Sequence, residues 1–371
     1  MKPKTLMIIG LGSLGGYLLE YLSREHSISK IIVGDINDEY GIRKTNLAIE
    51  GSSMMDYYPE IEFAKIDLFD VPGTAKLIKK YSPDIICNTT TLQSWWVVTT
   101  LPHDVYMSIE EAGFGPWVSM HLTLAKKMME AVKKSGLYPF IINSSFPDAV
   151  NPSLSKIGLA PTVGLGNVDC AVPVIKLAMS KKLNIPIKNI KVYACGAHYW
   201  NFVTVRFGDV CGSPYYLKII AEGNDVTKMF DFKDLLKYPR TGGAEVSPVV
   251  ASSGAKIILS ALNNSKDIIN LPGPNGLPGG YPTRVSSEGV EVILPNDISL
   301  QEAIQINEGS NRCDGIEKID EQGNIEFTEK SYRVMKDMIG YDCKVLEIDR
   351  LEEEQQKLNS MFKKFCEKYR K

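Results

Sequence analysis

The sequence predicts an α/β protein in two parts: a doubly wound parallel sheet over residues 1–148, then an α+β half over 149–371. Three observations lead there. Short apolar runs alternate with helical patterns through the first 145 or so residues, a rhythm that builds parallel sheets with helices on both faces. The runs are apolar nearly throughout, as strands buried on both sides require. Past residue 148 the alternation stops, and strands and helices follow one another irregularly.

Taken in order, Thr5–Ile9 is expected as a strand and Leu14–Ser23 as a helix. Lys30–Asp35 is the second strand, Ile61–Ile66 the third, and Gly73–Tyr81 a short helix. Asp84–Asn88 is the fourth strand, Ser119–Lys134 a long amphipathic helix, and Pro139–Asn143 the fifth strand. Beyond it, a glycine-rich turn from Val163 feeds a helix that runs to Met179. Lys191–Arg206 reads as two strands around a turn, Pro248–Asn263 as a helix, and Asn270–Pro282 as a surface connection rich in Gly and Pro. Arg284–Leu294 alternates like a strand, and Leu351–Lys371 is a charged terminal helix.

The segment Thr91–Val118 is too long for an ordinary strand-to-helix turn. In an open α/β sheet such an excursion lies beside the carboxyl ends of the strands, where ligands bind. It holds three of the four tryptophans, Trp95, Trp96 and Trp117, more aromatic area than a plain surface loop carries.

Composition narrows the function classes. Lys and Arg total 42 against 44 Asp and Glu, a net charge of −2 that asks for neither nucleic acid nor an anionic membrane as partner. No stretch approaches 18 uninterrupted apolar residues, so no membrane span is expected. Seven cysteines, an odd number without a CxxC pair, argue against a disulfide framework and for a reducing, cytoplasmic setting. Histidines are scarce: His26, His103, His121 and His198 are all there are.

Gly10-Leu11-Gly12-Ser13-Leu14-Gly15 is a GxGxxG pattern that follows an apolar strand and opens a helix. The first glycine makes the tight turn, the second lets the backbone approach a pyrophosphate, and the third lets helix and strand pack closely. The helix N-terminus offers its amide groups to the phosphates. Asp35, at the end of the next strand, suits the adenosine ribose hydroxyls and repels a 2′-phosphate. A Rossmann domain that binds NAD is therefore expected. Arg43 keeps NADP open, and S-adenosylmethionine, the main competitor, lacks the pyrophosphate that three glycines serve.

His198 sits between two apolar runs in Cys195-Gly196-Ala197-His198, and Asp169 heads a helical stretch in Gly164-Leu165-Gly166-Asn167-Val168-Asp169. Moving a hydride at a carbinol carbon requires moving the hydroxyl proton. An imidazole oriented by a carboxylate on its other nitrogen suits that task. The plainer reading is a turn histidine and a helix-capping aspartate.

The order of these features resembles the lactate/malate dehydrogenase superfamily. The matching pieces are the glycines at 10–15, Asp35, the helix 119–134, the strand running into Asn143-Ser144-Ser145-Phe146-Pro147-Asp148, the turn Gly164–Asp169, the Gly-Ala-His turn at 196–198, and Gly289–Leu294 before an acidic helix start at Ser299. The resemblance implies that Asp169 and His198 form the proton-transfer pair, that Asn143 touches substrate or nicotinamide ribose, and that the chain is a homo-oligomer. The first half also resembles saccharopine-dehydrogenase-type Rossmann domains through Asp35-Ile36-Asn37, Ile66-Asp67-Leu68 and Asp84–Thr89. That likeness implies Asp67 and Leu68 beside the adenine, and Asn88 and Thr89 beside the nicotinamide ribose.

The chain departs from the 2-hydroxyacid enzymes at two places, both concerned with binding the substrate carboxylate. Their carboxylate-binding arginine, three residues after the motif aspartate, is here Val172, and residues 91–118 contain no Arg or Lys. A bidentate arginine clamp is hard to replace. Trp95, Trp96 and Trp200 suggest instead a sugar, a polyol or another hydroxylated molecule, with Arg206, Arg240 and Arg284 left as sources of an anion site. Asn167 and His198 are similar to features of the NAD-dependent glycosidases of family 4, but Gly166 stands where those enzymes place a cysteine metal ligand, and no metal is expected. The sequence thus points to an NAD-dependent oxidoreductase of a small molecule. A redox-assisted glycosidase or lyase and an opine- or saccharopine-type dehydrogenase are the alternatives.

Overall fold

The computed structural model describes residues 4–369. Its first half runs β1 (Thr5–Ile9), α1 (Ser13–Leu22), β2 (Lys30–Asp35), α2 (Asp38–Ser53), β3 (Glu60–Lys65), α3 (Val71–Tyr81), β4 (Ile85–Asn88), α4 (His103–Glu110), α5 (Ser119–Ser135), β5 (Phe140–Asn143), α6 (Pro147–Lys156) and β6 (Val163–Gly164). The six strands form one parallel sheet in the order β3-β2-β1-β4-β5-β6. The order reverses between β1 and β4, and the chains leaving those strands diverge to opposite faces. A crevice opens there at the carboxyl ends, the usual ligand position in such sheets.

The second half continues with α7 (Val168–Leu183), β7 (Ile190–Cys195), α8 (His198–Phe207), β8 (Tyr216–Ala221), β9 (Asn224–Asp225) and α9 (Ser247–Asn263). The hairpin strands β10 (Ile268–Pro272), β11 (Gly280–Ser286) and β12 (Gly289–Val292) follow. The chain closes with α10 (Leu300–Cys313), β13 (Ile316–Ile319), β14 (Ile325–Phe327), α11 (Glu329–Ile339), β15 (Val345–Leu346) and α12 (Leu351–Glu367). These strands form three small antiparallel sheets, β7-β8-β9, β10-β11-β12 and β13-β14-β15.

The halves share their cores. On one face of the parallel sheet, Ile78 of α3 and Met128 of α5 pack with Leu358 and Phe362 of α12. On the other, Leu18 and Leu22 of α1 pack with Ala251, Ile257 and Ile258 of α9. The sheet also takes its sixth strand from beyond residue 148. α9, with the turn at 243–246 before it, is long and apolar enough to cross a membrane by length and composition. Its buried face is spent on α1.

Two sequence expectations fail here. Residues 198–207 form a helix, not a second strand. The aromatic and β-branched run Phe202-Val203-Thr204-Val205 favours a strand locally, but Trp200, Val203 and Thr204 are buried at helical spacing, and packing overrides propensity. The Gly/Pro stretch 270–282 is not a surface connection either, for it contributes β10 and β11, with Leu271 and Tyr281 fully buried. Its backbone tolerates burial because side-chain amides satisfy it. Asn151 donates to Gly273 O at 3.0 Å and Asn307 to Gly280 O at 3.0 Å.

Candidate active site

A cleft of about 1060 Å³ runs along the carboxyl ends of the parallel strands, from Asp35 at one end to His198 at the other. Its near end is built on the glycine turn. Gly10 has φ +97°, and a Cβ there would meet Thr89 and Thr90 at 2.9–3.0 Å. A Cβ on Gly15 would lie 1.9 Å from Gly10 O, so the third glycine is demanded by helix–strand packing and does not line the cleft. Gly12 differs from both. It precedes α1 with φ −59°, and a Cβ on it would meet nothing within 4 Å. The room left by its missing side chain opens into the cleft beside the first turn of α1, where Ser13 and Leu14 also face it. That turn has no side-chain cap and no acidic residue, so its amides are free to receive an anion.

Asp35 is fixed by two backbone donors. Its carboxylate accepts from Leu11 N–H at 2.8 Å and from Asn37 N–H at 2.9 Å. It therefore ties the glycine turn to the end of β2, with its remaining lone pairs facing the cleft. Asp67 and Leu68, after β3, line the same end. Thr89 also lines the cleft, and its hydroxyl donates to Gly10 O at 2.6 Å, which braces the turn. This end fits an adenosine diphosphate: a carboxylate for ribose hydroxyls, an open glycine for the phosphates, and an uncapped helix terminus.

Asn88 and Asn143 do not reach the cleft. Both are fully buried, joined by a hydrogen bond of 3.1 Å from Asn88 Nδ2 to Asn143 Oδ1. Asn88 Oδ1 accepts from the Thr90 hydroxyl at 2.7 Å, while Asn143 Nδ2 donates to Asn151 Oδ1 at 3.0 Å and to Ser145 O at 3.1 Å. These amides form a layer under the floor. They shape the loops after β4 and β5, whose Thr90, Thr91, Ser144 and Ser145 do line the cleft.

At the far end, His198 is the first residue of α8. Its Nδ1 lies 2.7 Å from Asp314 Oδ2, and its side chain is 22% exposed, toward the cleft. Asp314 caps the end of α10 and is almost completely buried. Its other oxygen accepts from Phe114 N–H at 2.8 Å and its carbonyl from Gly115 N–H at 2.7 Å. One residue thereby fixes both the histidine and the end of the 91–118 segment. Phe114, Phe146 and Phe202 surround the imidazole, with ring centroids 5.0, 5.5 and 6.2 Å away. Burial opposes the charged imidazole, but the Asp314 carboxylate, its hydrogen bond and the charge of Asp148 outweigh it and hold the pKa above the ordinary 6.5.

The carboxylate on the imidazole is therefore Asp314, not Asp169. Asp169 is buried on α7 and turned toward α9, where Lys256 and Ser253 face it, with Lys176 of its own helix also near. It is not part of the cleft wall. The sequence held no cue for Asp314: it lies 116 residues after His198, in an Arg-Cys-Asp-Gly helix end without a motif. Two further groups lie near the imidazole. His121 faces the cleft, its Nδ1 3.2 Å from the Thr91 hydroxyl, and burial together with the charge of His198 pushes its pKa down to about 3. Asp148 is fully buried and accepts a hydrogen bond from Asn167 Nδ2, and burial pushes its pKa up to about 6.

The tryptophans divide. Trp95, 40% exposed, and Trp96, half-buried, form one wall of the cleft. Trp117, though at the cleft's edge, is 3% exposed and packs edge-on against Phe362 at 4.7 Å. Trp200 is fully buried in the second half's core and does not line the cleft, because the helical turn at 198 directs it inward under Gly196. Val172 is core as well. Arg206 donates to Glu110 at 2.6 Å and to the Tyr106 hydroxyl at 3.1 Å, tethering α4 to α8 across the cleft mouth. Arg284 pairs with Glu291 at 2.7 Å, away from the cleft. Arg240 lines the cleft. Among the described residues no group of three His, Cys, Asp or Glu side chains is disposed to hold a metal ion.

No protein-family model matches the chain. The malate dehydrogenase of Pelagibacter ubique (strain HTCC1062) is 25% identical over 323 residues, covering 81% of this chain and 91% of that enzyme. Among solved structures, the malate dehydrogenase of Cryptosporidium parvum superposes with a TM-score of 0.61 at 14% identity, over 84% of this chain and 98% of that one. The Cryptosporidium parvum lactate dehydrogenase, complexed with lactic acid and nicotinamide adenine dinucleotide, gives 0.59 at 14% identity over 84% and 96%. The Plasmodium falciparum malate dehydrogenase with NADH gives 0.57 at 14% identity over 96% and 99%. The chain thus has the fold of the lactate and malate dehydrogenases and is similar in sequence to a malate dehydrogenase over most of its length.

Proposed function

We propose that the protein is an NAD-dependent dehydrogenase acting at a hydroxyl or keto carbon of a small molecule. One observation bears most of the weight: the imidazole backed by Asp314 and the open glycine turn face the same cleft. The relatives named above, which include nicotinamide-bound lactate and malate dehydrogenases, support the reading. Asp35, on the ribose side, favours NAD over NADP.

The nicotinamide, when bound, supplies or accepts the hydride. The chain's own residues handle the proton. In the oxidising direction the substrate hydroxyl gives its proton to His198 Nε2 as the hydride leaves the carbon, and the electron pair of the O–H bond closes the carbonyl. Asp314 holds Nδ1–H, which fixes the tautomer with Nε2 free and stabilises the imidazolium that forms. Phe114 and Phe146 keep water from the imidazole. His121, neutral through the physiological range, adds no competing charge.

For the substrate, Trp95 and Trp96 with the hydroxyls of Thr90, Thr91, Ser144 and Ser145 favour a hydroxylated molecule larger than a simple 2-hydroxy acid, of the sugar or polyol kind. A reducing, cytoplasmic location accords with an odd number of cysteines and no CxxC pair. Homo-oligomeric assembly accords with the exposed Ile42, Leu47 and Ile49 of α2, and sedimentation checks it.

The test is an absorbance screen for reduced cofactor against sugars, polyols, hydroxy acids and amino acids, with NAD and NADP in parallel. Net reduction with a hydroxylated substrate, abolished in His198→Asn while NADH still binds, is expected. NADH binding with activity untouched by His198→Asn would make His198 a bystander. Turnover without net cofactor reduction would point to a redox-assisted lyase or glycosidase.

A further inference from the structure

We propose that Arg240 anchors an anionic group of the substrate. This rests on the dehydrogenase reading and narrows it, to a polyhydroxylated acid or a phosphorylated polyol. The cationic side chains that line the cleft are paired, with one exception. Besides Asp35 and Asp67, the charged side chains lining it are Glu110, Arg206, His198, Asp314 and Arg240. Arg206 is neutralised by Glu110 at 2.6 Å and His198 by Asp314 at 2.7 Å. Arg240 makes no ion pair and no hydrogen bond with any described residue. It lies near Cys170, in the first turn of α7 just past Asn167, and all three residues line the cleft. Desolvation pulls its guanidinium below the ordinary range, as for a cation withdrawn from water without a partner.

The other arginines are excluded by their partners. Arg206 is spent on the α4 tether, and Arg284 is paired on β11 outside the cleft. Arg240, on the segment between β9 and α9, is therefore the one arginine lining the cleft without an ion-pair partner among the described residues. A planar guanidinium offers parallel N–H donors that match a carboxylate or a phosphate. An anion held there pairs it. A neutral polyol leaves it unpaired, which sets the selectivity between the two.

Calorimetric titration of the full chain tests this, with malonate and inorganic phosphate as separate probes, each with and without saturating NADH. One of the two anions should bind the wild-type protein, and Arg240→Gln should weaken it by about 10- to 100-fold, the loss expected for charge-assisted hydrogen bonds. Malonamide, neutral and of similar shape, should bind no better to either protein, and Arg284→Gln should bind the anion as wild type does. Preference for malonate assigns a carboxylate substrate, and preference for phosphate a phosphorylated one. NADH fluorescence unchanged in Arg240→Gln shows that the variant is folded. If neither anion binds, or if Arg240→Gln binds it as tightly as wild type, the assignment is overturned. Failure of NADH to bind the wild-type protein counts against the dehydrogenase reading instead, and the titrations without NADH still decide Arg240.

Discussion

Gly12→Ala separates cofactor binding from folding more cleanly than any other substitution in the cleft. The residue has φ −59° and ψ −165°, open to any L-residue, and its new Cβ would find no protein atom within 4 Å. The folded protein should therefore tolerate alanine, with stability unchanged or raised by roughly 0.4–1 kcal/mol through the less flexible unfolded chain. Cofactor affinity should fall. The methyl group occupies the room through which a pyrophosphate reaches the first turn of α1. Losing one charge-assisted hydrogen bond to an amide costs about 1.5–3 kcal/mol, which is about 10- to 150-fold in Kd. Gly15→Ala is the contrasting case. Its Cβ would lie 1.9 Å from Gly10 O and 2.6 Å from Thr89 Oγ1, so backbone must move. It should destabilise by roughly 1–3 kcal/mol, in the range of overpacked sites. NADH fluorescence titration and thermal melting of the two variants in parallel are the assay. A Gly12→Ala protein that binds NADH like wild type would refute the assignment of the near end to a dinucleotide. One that melts as early as Gly15→Ala would refute the claim that Gly12 is free of packing demands.

Other expectations concern the far end. His198→Asn should lower kcat by roughly 10²–10⁴-fold, the usual worth of a positioned acid–base group, with NADH affinity unchanged in direct titration. Asp314→Asn should move the pH–rate profile. Oxidation needs neutral His198, so the rate rises as pH passes its pKa, which Asp314 holds above 6.5; without that charge the rise should shift to lower pH. Linkage gives the matching stability effect: the pair stabilises the fold fully below about pH 6.5, and its contribution is lost as pH climbs through the raised pKa of His198. Melting temperatures of wild type and Asp314→Asn should therefore converge toward alkaline pH. Trp200→Ala should cost about 3–5 kcal/mol by denaturant unfolding, as for a fully buried aromatic, whereas Trp95→Ala should change stability by less than about 1 kcal/mol and act on KM.

The glycine end of the cleft is largely legible in the sequence because its pattern is local. A strand, a glycine turn, a helix start and an acidic strand end lie within 31 residues, from Thr5 to Asp35, and the structure assembles them without rearrangement. His198 was legible for a different reason, since four histidines leave few choices. Its partner was not. Asp169 heads a helix at a suggestive spacing, but the first turn of α7 aims it at Lys256 and Ser253, while Asp314 arrives from a helix end with no pattern to mark it. Asn88 and Asn143 stand buried away from the cleft, for a polar residue at a strand end can satisfy its neighbours' backbone as readily as a ligand. Theirs form a buried amide layer under the floor. Trp200 failed with the strand reading of 198–206, for a strand alternates its side chains while the helix puts Trp200, Val203 and Thr204 on one inward face. Arg240 was one of three arginines that the sequence could not rank, and only their ion pairs distinguish them.

The most direct test of the central claim is a crystal structure of the protein with NADH. The diphosphate should lie against Gly12 and the first turn of α1, the adenosine ribose on Asp35, and the nicotinamide ring beside His198 Nε2, with Asp314 still on Nδ1. A nicotinamide lodged away from His198, or a cofactor lying outside the cleft, would contradict it.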